Sequence, residues 1–172
     1  MLIALFGPPG AGKDTVAKRL VEQHGFVRVA FADKVRELAY ECITEPDGKE
    51  LIDEYGWEVC KRDNEYFRLL LERVGDGARK VLGESVWIDA VYGQIDALLD
   101  DGKSVIITDL RKENEAEMVK DFDGMIWHIS RPGCEKRPFD EWKPEWAAFT
   151  IHNNDTIEVL NQRVDEVLEL CW

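Results

Sequence analysis

Seven consecutive residues, Gly7-Pro8-Pro9-Gly10-Ala11-Gly12-Lys13, have the types and spacing of a loop that wraps phosphate. In this G-x-x-x-x-G-K pattern the glycines let backbone N–H groups turn inward around phosphate oxygens. The lysine brings a movable positive charge to the β- and γ-phosphates. Val16, Ala17, Leu20 and Val21 then recur at helical spacing, so a helix N-terminus adds its partial positive charge behind the loop. Gly7, Pro9, Gly10, Ala11, Gly12, Lys13, Asp14 and Thr15 are therefore the expected nucleotide-binding set. Position 14 is Asp, where most such loops place a Ser or Thr hydroxyl on Mg²⁺. Asp14 would hold the metal directly or through water, or would cap the helix. In either case the nucleotide's own phosphates bind a divalent ion.

The elements that must position this loop alternate between strand and helix. Leu2 to Phe6 is a continuous apolar run, Phe26 to Phe31 alternates at period two, and Val105-Ile106-Ile107 is a short buried strand. Met125 to Ile129 and a segment near Thr150-Ile151-His152 complete five predicted strands. Helices are expected after the loop, from Asp33, around Phe67 to Val74, from Ser85 to Leu99 and from Asn114 to Lys120. Asp155, with Glu158 three residues on, reads as the capping box of a last helix whose apolar face is Ile157, Leu160, Val164, Leu168 and Cys171. The stretch 44–64 is polar and holds Pro46, Gly48 and Gly56, which predicts a loop-rich excursion. Residues 131–149 hold three prolines and two tryptophans without periodicity, which predicts a mobile segment. The pattern is that of an α/β fold with a five-stranded, mostly parallel sheet flanked by helices.

Charge narrows the partners. The 172 residues carry 22 basic and 35 acidic side chains, a formal charge of −13. A coat on nucleic acid or on an anionic membrane needs a broad basic face, so both are excluded as partners. A small anionic substrate needs only a few cations in one pocket. The length suits one well-formed core. The four cysteines form no C-x-x-C pair, as expected for thiols in a reducing cytosol. The apolar N-terminus is one strand long without a charged leader, and no apolar run is long enough to cross a bilayer. The expectation is a soluble, cytoplasmic protein.

Gly12-Lys13-Asp14-Thr15 resembles the corresponding loop of bacteriophage deoxynucleoside monophosphate kinases, and further segments extend the resemblance in order along nearly the whole chain. They are Phe31-Ala32-Asp33-Lys34-Val35-Arg36, Arg68 to Gly75 with Val86-Trp87-Ile88, and Ile107-Thr108-Asp109-Leu110-Arg111 with Asn114 to Glu117. Ile129-Ser130-Arg131-Pro132-Gly133 and Ile151 to Asp155 follow. The resemblance implies a single P-loop kinase domain over 1–172, with an NMP-binding helical region at roughly 33–80 and a lid at roughly 131–149. It also implies transfer of the γ-phosphoryl group of ATP, with Mg²⁺, to a deoxynucleoside monophosphate, in the host cytoplasm if phage-encoded. A homodimer is compatible with it. Glu72 stands where such sequences often carry Gln, and the lid is unusually rich in Trp and Pro; both bear on base selectivity.

Phosphoryl transfer spreads negative charge, so a small set of arginines is expected at one site. Arg111, just beyond the Val105-Ile106-Ile107 strand, lies at the edge where open α/β sheets bind ligands. Arg36 and Arg68 would reach the acceptor phosphate, while Arg131 and Arg137 would clamp the triphosphate from the lid; for each, the alternative is a solvated surface charge. Asp33 would orient the acceptor or act as base, or would cap its helix. Asp109 would hold the Mg²⁺ water shell, or again serve as a cap. Lys13, Asp33, Arg111 and Arg131 are the catalytic candidates, and Lys13, Arg36, Arg68, Arg111, Arg131 and Arg137 are expected to converge. His24, His128 and His152 read as structural. The six tryptophans (57, 87, 127, 142, 146, 172) read as packing, with Trp142 or Trp146 over a base as the alternative. A kinase of another acceptor, such as dephospho-coenzyme A, is the rival within the fold. An NTP-driven switch would call for a guanine-reading N-K-x-D segment, which the chain lacks.

Overall fold

Five consecutive apolar residues, Leu2–Phe6, form strand β1 and are buried along their whole length, as a strand covered on both faces requires. In the computed structural model, which describes residues 1–138 and 140–171, β1 is the central strand of a five-stranded sheet. Phe139 of the lid segment and Trp172 lie outside the described residues. The chain runs β1, α1 (Lys13–His24), β2 (Val27–Val29), α2 (Phe31–Glu41), α3 (Pro46–Asp63), α4 (Glu65–Leu82) and α5 (Val86–Asp100). It continues through β3 (Val105–Ile107), α6 (Glu113–Asp121), β4 (Met125–Ser130), β5 (Phe149–His152) and α7 (Ile157–Glu169). The strand order is β2-β3-β1-β4-β5 and every pairing is parallel.

Two compact units make up the chain. The sheet unit comprises Met1–Ala30 and the described residues from Tyr92 onward; the helical unit is Phe31–Val91. Within the sheet unit, period-two alternation sends Ile3, Leu5, Ile106, Trp127, Ile129 and Ile151 into one core with Val16, Leu20, Leu160, Val164 and Leu168 of α1 and α7. The helical unit has its own cluster of Ile43, Ile52, Cys60 and Phe67, with Tyr40, Trp57 and Leu70 packed against it.

Three local expectations are corrected. Residues 46–63 are helical rather than loop: Pro46 sits in the first turn, where its missing N–H costs nothing, and Gly56 at φ 75° divides two helical stretches. Strand β2 stops at Val29 and α2 begins at Phe31, so the alternating pattern of 26–31 overshoots. The cap of α7 is Thr156, whose hydroxyl accepts from Val159 N at 3.4 Å, and not Asp155, which instead accepts from Thr156 N at 2.9 Å. No helix among the described residues is long and apolar enough to cross a membrane.

An ion-pair triad ties α1 to α7. Arg19 donates to both oxygens of Asp165, at 3.0 and 2.6 Å, and His24 Nε2 lies 2.8 Å from the same carboxylate. The guanidinium holds the Asp165 carboxyl below the usual range against a smaller opposing effect of burial. A carboxyl depressed in the folded state stabilises above its unfolded pKa, and that contribution disappears as the pH falls through the folded value. With both partners about 30% exposed, Asp165→Asn should cost about 1 kcal/mol at pH 7. Urea unfolding should find the difference between variant and parent shrinking as the pH falls below the ordinary carboxylate range.

Candidate active site

A wholly parallel sheet sends every strand's C-terminal end to one edge. The loop after β1, Asp109 and Arg111 after β3, Arg131 after β4 and Asn153 after β5 therefore all leave that edge of the sheet unit. Gly12 ends the loop as the N-cap of α1 at φ 106°. A Cβ there would lie 2.5 Å from Asn153 Nδ2, and Asn153 uses that nitrogen to brace the loop by donating to the Ala11 carbonyl at 2.9 Å. Because Gly12 is the cap, Asp14 is not; it stands exposed in the first turn of α1. Gly10, Gly12, Lys13, Asp14, Thr15, Arg131 and Asn153 line a cavity of about 340 Å³, within the range of small-ligand sites.

Lys13 folds back on the loop, its Nζ donating to the carbonyls of Gly7 at 2.8 Å and Pro8 at 3.0 Å. Burial pushes its ammonium below the ordinary lysine range; Asp14 opposes this, Arg111 and Arg137 add to it, and Asp140 opposes it. Arg111, Arg137 and Asp140 thus lie close enough to Lys13 to be felt electrostatically. Arg131 Nη1 donates to the Gly10 carbonyl at 3.3 Å. Of the six expected cations, Lys13 and Arg131 touch the loop itself, while Arg111 and Arg137 lie in the same sheet unit within electrostatic reach of Lys13. A partial charge from the helix N-terminus lies behind them.

Arg36 and Arg68 belong to the helical unit and are already engaged there. Arg36 donates to Asp33 at 2.8 Å and to Glu58 at 2.6 Å. Arg68 pairs along its own helix with Glu65 at 2.8 Å and Glu72 at 3.3 Å. Asp33 sits in the first turn of α2, which starts two residues earlier, so it is not the cap. Asp33 and Arg36, with Tyr40, Ile52, Trp57 and Trp87, border an open cavity of about 820 Å³; Arg68 is not among its lining residues. The buried indole of Trp87 donates to the Gly75 carbonyl at 3.0 Å.

Sequence reasoning passed over two residues at the sheet edge. Asn153 stands directly after β5, and that position was its one signal. Asp140 sits in the segment between β4 and β5, buried, with Oδ2 accepting from Arg137 N at 3.3 Å and Arg111 Nε 3.9 Å from Oδ1. Nothing in the local pattern marks it, because Arg111 is far away in sequence. Trp142 is a wall and not a base platform: it is buried against Phe6 and His128, with ring centroids 5.0 and 5.4 Å away. His128 stacks on Phe6 at 4.7 Å, and burial lowers its pKa. Trp146 closes a short 3₁₀ turn, Pro144–Trp146, with Lys143 5.9 Å from its ring.

The donors available for Mg²⁺ are hard oxygens. Asp14 and Thr15 line the cavity beside Lys13, which suits a small cation that arrives with the nucleotide's phosphates and keeps several waters. Asp109 is half-buried two residues past β3 and does not line that cavity. Among the described residues no three His, Cys, Asp or Glu side chains group as a metal cage.

Comparison with known proteins fits this geometry. The profile of a family described as AAA domain matches residues 3–130. A protein of Acanthamoeba polyphaga mimivirus, named "Putative deoxynucleotide monophosphate kinase", is 28% identical over 186 aligned positions, covering 96% of this chain and 91% of that one. An adenylate kinase of Hyphomonas neptunium is 61% identical over 36 residues, 21% of this chain and 19% of that enzyme. Among solved structures, dephospho-CoA kinase from Campylobacter jejuni shares the fold. Its TM-score is 0.54 over 98% of this chain and 95% of that one, at 14% identity.

Proposed function

The chain belongs to the AAA-domain family and is a P-loop kinase; from that premise we propose that it transfers the γ-phosphoryl group of ATP to a deoxynucleoside 5′-monophosphate. The observation that carries the reading is the glycine loop with Lys13 folded onto its Gly7 and Pro8 carbonyls and Arg131 on its Gly10 carbonyl, cations gathered at one sheet edge of a chain whose formal charge is −13. Likeness to the mimivirus protein over nearly the full length supports the acceptor class.

The loop's backbone N–H groups bind the triphosphate, and Lys13 leaves the Gly7 and Pro8 carbonyls for the β- and γ-phosphates. Arg111, Arg131 and Arg137 neutralise charge on the transferred group and on the leaving ADP. These cations act through position more than through covalent chemistry. Asp14 and Thr15 would offer oxygen donors to a Mg²⁺ ion arriving with the nucleotide, which would add charge neutralisation when bound. Asp33 and Arg36 are proposed for the acceptor, with Arg68 as a further phosphate contact. An acceptor phosphate competes with Glu58 for Arg36, since that guanidinium is already paired. The acceptor's nucleophile is an oxygen of a phosphate whose second pKa is near 6, so at neutral pH it attacks the γ-phosphorus without giving up a proton. Asp33 is then an orienting group. A hydroxyl acceptor, as in dephospho-coenzyme A, would need a base.

The test is ADP release from Mg·ATP against a panel of deoxynucleoside monophosphates, their ribose counterparts and dephospho-coenzyme A. Turnover is expected with at least one deoxynucleotide, and Asp33→Asn should raise the acceptor KM about tenfold or more while lowering kcat far less. Turnover confined to dephospho-coenzyme A, with Asp33→Asn abolishing kcat, would replace this reading with the hydroxyl-acceptor one. No acceptor-dependent turnover would sink both.

A further inference from the structure

The residue among the phosphate-site cations that has no assigned task is an anion. Asp140 is 7% exposed, and its Oδ1 is buried without a hydrogen-bond partner among the described residues. A carboxylate oxygen in that state costs folding free energy, because the desolvation of a charged acceptor is not repaid. Arg111 Nε stops 3.9 Å away, near enough for attraction and about 1 Å too far for a hydrogen bond.

The surroundings fix which partner can move. Asp140 is held from its own side by Arg137 N on Oδ2. Two residues on, Trp142 is wedged against Phe6 and His128, and Lys136 donates to the Trp142 carbonyl at 2.6 Å. The backbone of Arg111 is equally fixed: its N–H donates to Glu115 at 2.7 Å, and its carbonyl accepts from Glu141 N at 2.8 Å. What remains free to close the gap is the Arg111 side chain, which is 44% exposed.

Resting on the phosphoryl-transfer reading, we propose that Asp140 is a positioning residue that takes the Nε–H of Arg111 when nucleotide binds. A guanidinium held at Nε leaves both terminal nitrogens for phosphate oxygens in a fixed fork, whereas an unheld one spends rotamer freedom on every approach. The same carboxylate holds the backbone of Arg137, so one buried anion sets two cations and offsets their mutual repulsion around Lys13.

Two measurements test this. Adding Mg²⁺ and a non-hydrolysable ATP analogue to the full chain should bring one arginine Nε–H into slow exchange and shift it downfield by NMR. The signal should be lost in Arg111→Lys and in Asp140→Asn. This arm needs no acceptor, so it stands even if wild-type protein transfers to nothing on the panel, which would refute the reading of function instead. In turnover, Asp140→Asn should lower kcat about 30- to 100-fold with the KM for ATP within about threefold. The double variant with Arg111→Ala should lose clearly less than the product of the two single effects, the remainder reporting the hold on Arg137. Where Asp140→Asn does not fold, Asp140→Glu keeps the charge and should lower kcat about tenfold. A nucleotide-bound spectrum without such a signal, a wild-type kcat in either Asp140 variant, or a double variant that loses the product of the two single effects would overturn the proposal.

Discussion

Lys13→Ala should lose phosphoryl transfer by about a thousandfold or more while the protein stays folded, a barrier increase of about 4 kcal/mol. The loop contributes backbone dipoles and the arginines contribute fixed charges, but Lys13 is the cation whose present partners are two neutral carbonyls that phosphate readily replaces. Burial already disfavours its charged form, and Arg111 and Arg137 disfavour it further. A negative phosphate relieves that strain, so the interaction strengthens most where charge develops. Stability should change little: two carbonyls lose a donor, at about 1 kcal/mol, and a buried ammonium is removed. The check is a coupled assay for ADP beside a thermal melt. Turnover like the parent's would remove Lys13 from the chemistry.

Gly7→Ala should damage the fold itself. Gly7 has φ 145°, a conformation L-residues rarely adopt, and a Cβ there would lie 2.2 Å from the Ile129 carbonyl oxygen. That oxygen is backbone, on a strand hydrogen-bonded between β1 and β5, and Ile129 itself is fully buried. β4 has nowhere to retreat. Backbone strain and overlap together should cost about 3 kcal/mol or more, lowering Tm by about 10 °C for a chain of this size. Gly77→Ala is the control, since a Cβ at that helical position meets nothing within 4 Å. A Gly7→Ala melt that coincides with the control's would show that the loop leaves β1 by another path.

The phosphate loop was readable because its chemistry is local: seven adjacent residues carry both the turn and the charge. β1 and β3 were readable because strands covered on both faces are unbroken apolar runs. α3 was not, since Ile52 and Cys60 are its buried residues and no apolar stripe rises above Pro46, Gly48 and Gly56. Arg111 and Arg131 could be placed because each lies just past a predicted strand, and a residue leaving a parallel strand has one edge to go to. Asp140 could not be found in that way. Its meaning lies in Arg111, which is distant in sequence, and in the Trp142 wedge that fixes its backbone. Arg36 and Arg68 were legible as basic residues, but not the carboxylates that already hold them, because Glu58 reaches Arg36 from a different helix.

The central position of β1 also governs when the molecule can fold. Its partners are β3, paired through Leu2 with Val105, and β4, paired through Phe6 with His128, each more than about a hundred residues later in the chain. During synthesis the first strand therefore leaves the ribosome with nothing to pair with, and stays exposed until β3 and β4 follow. Closing loops of that length adds little equilibrium cost but slows the search. The helical contacts of 31–91 are far more local and can form while β1 waits. The order of events should thus be helices first and the phosphate loop last, so the loop takes its shape only once β3 and β4 have been made.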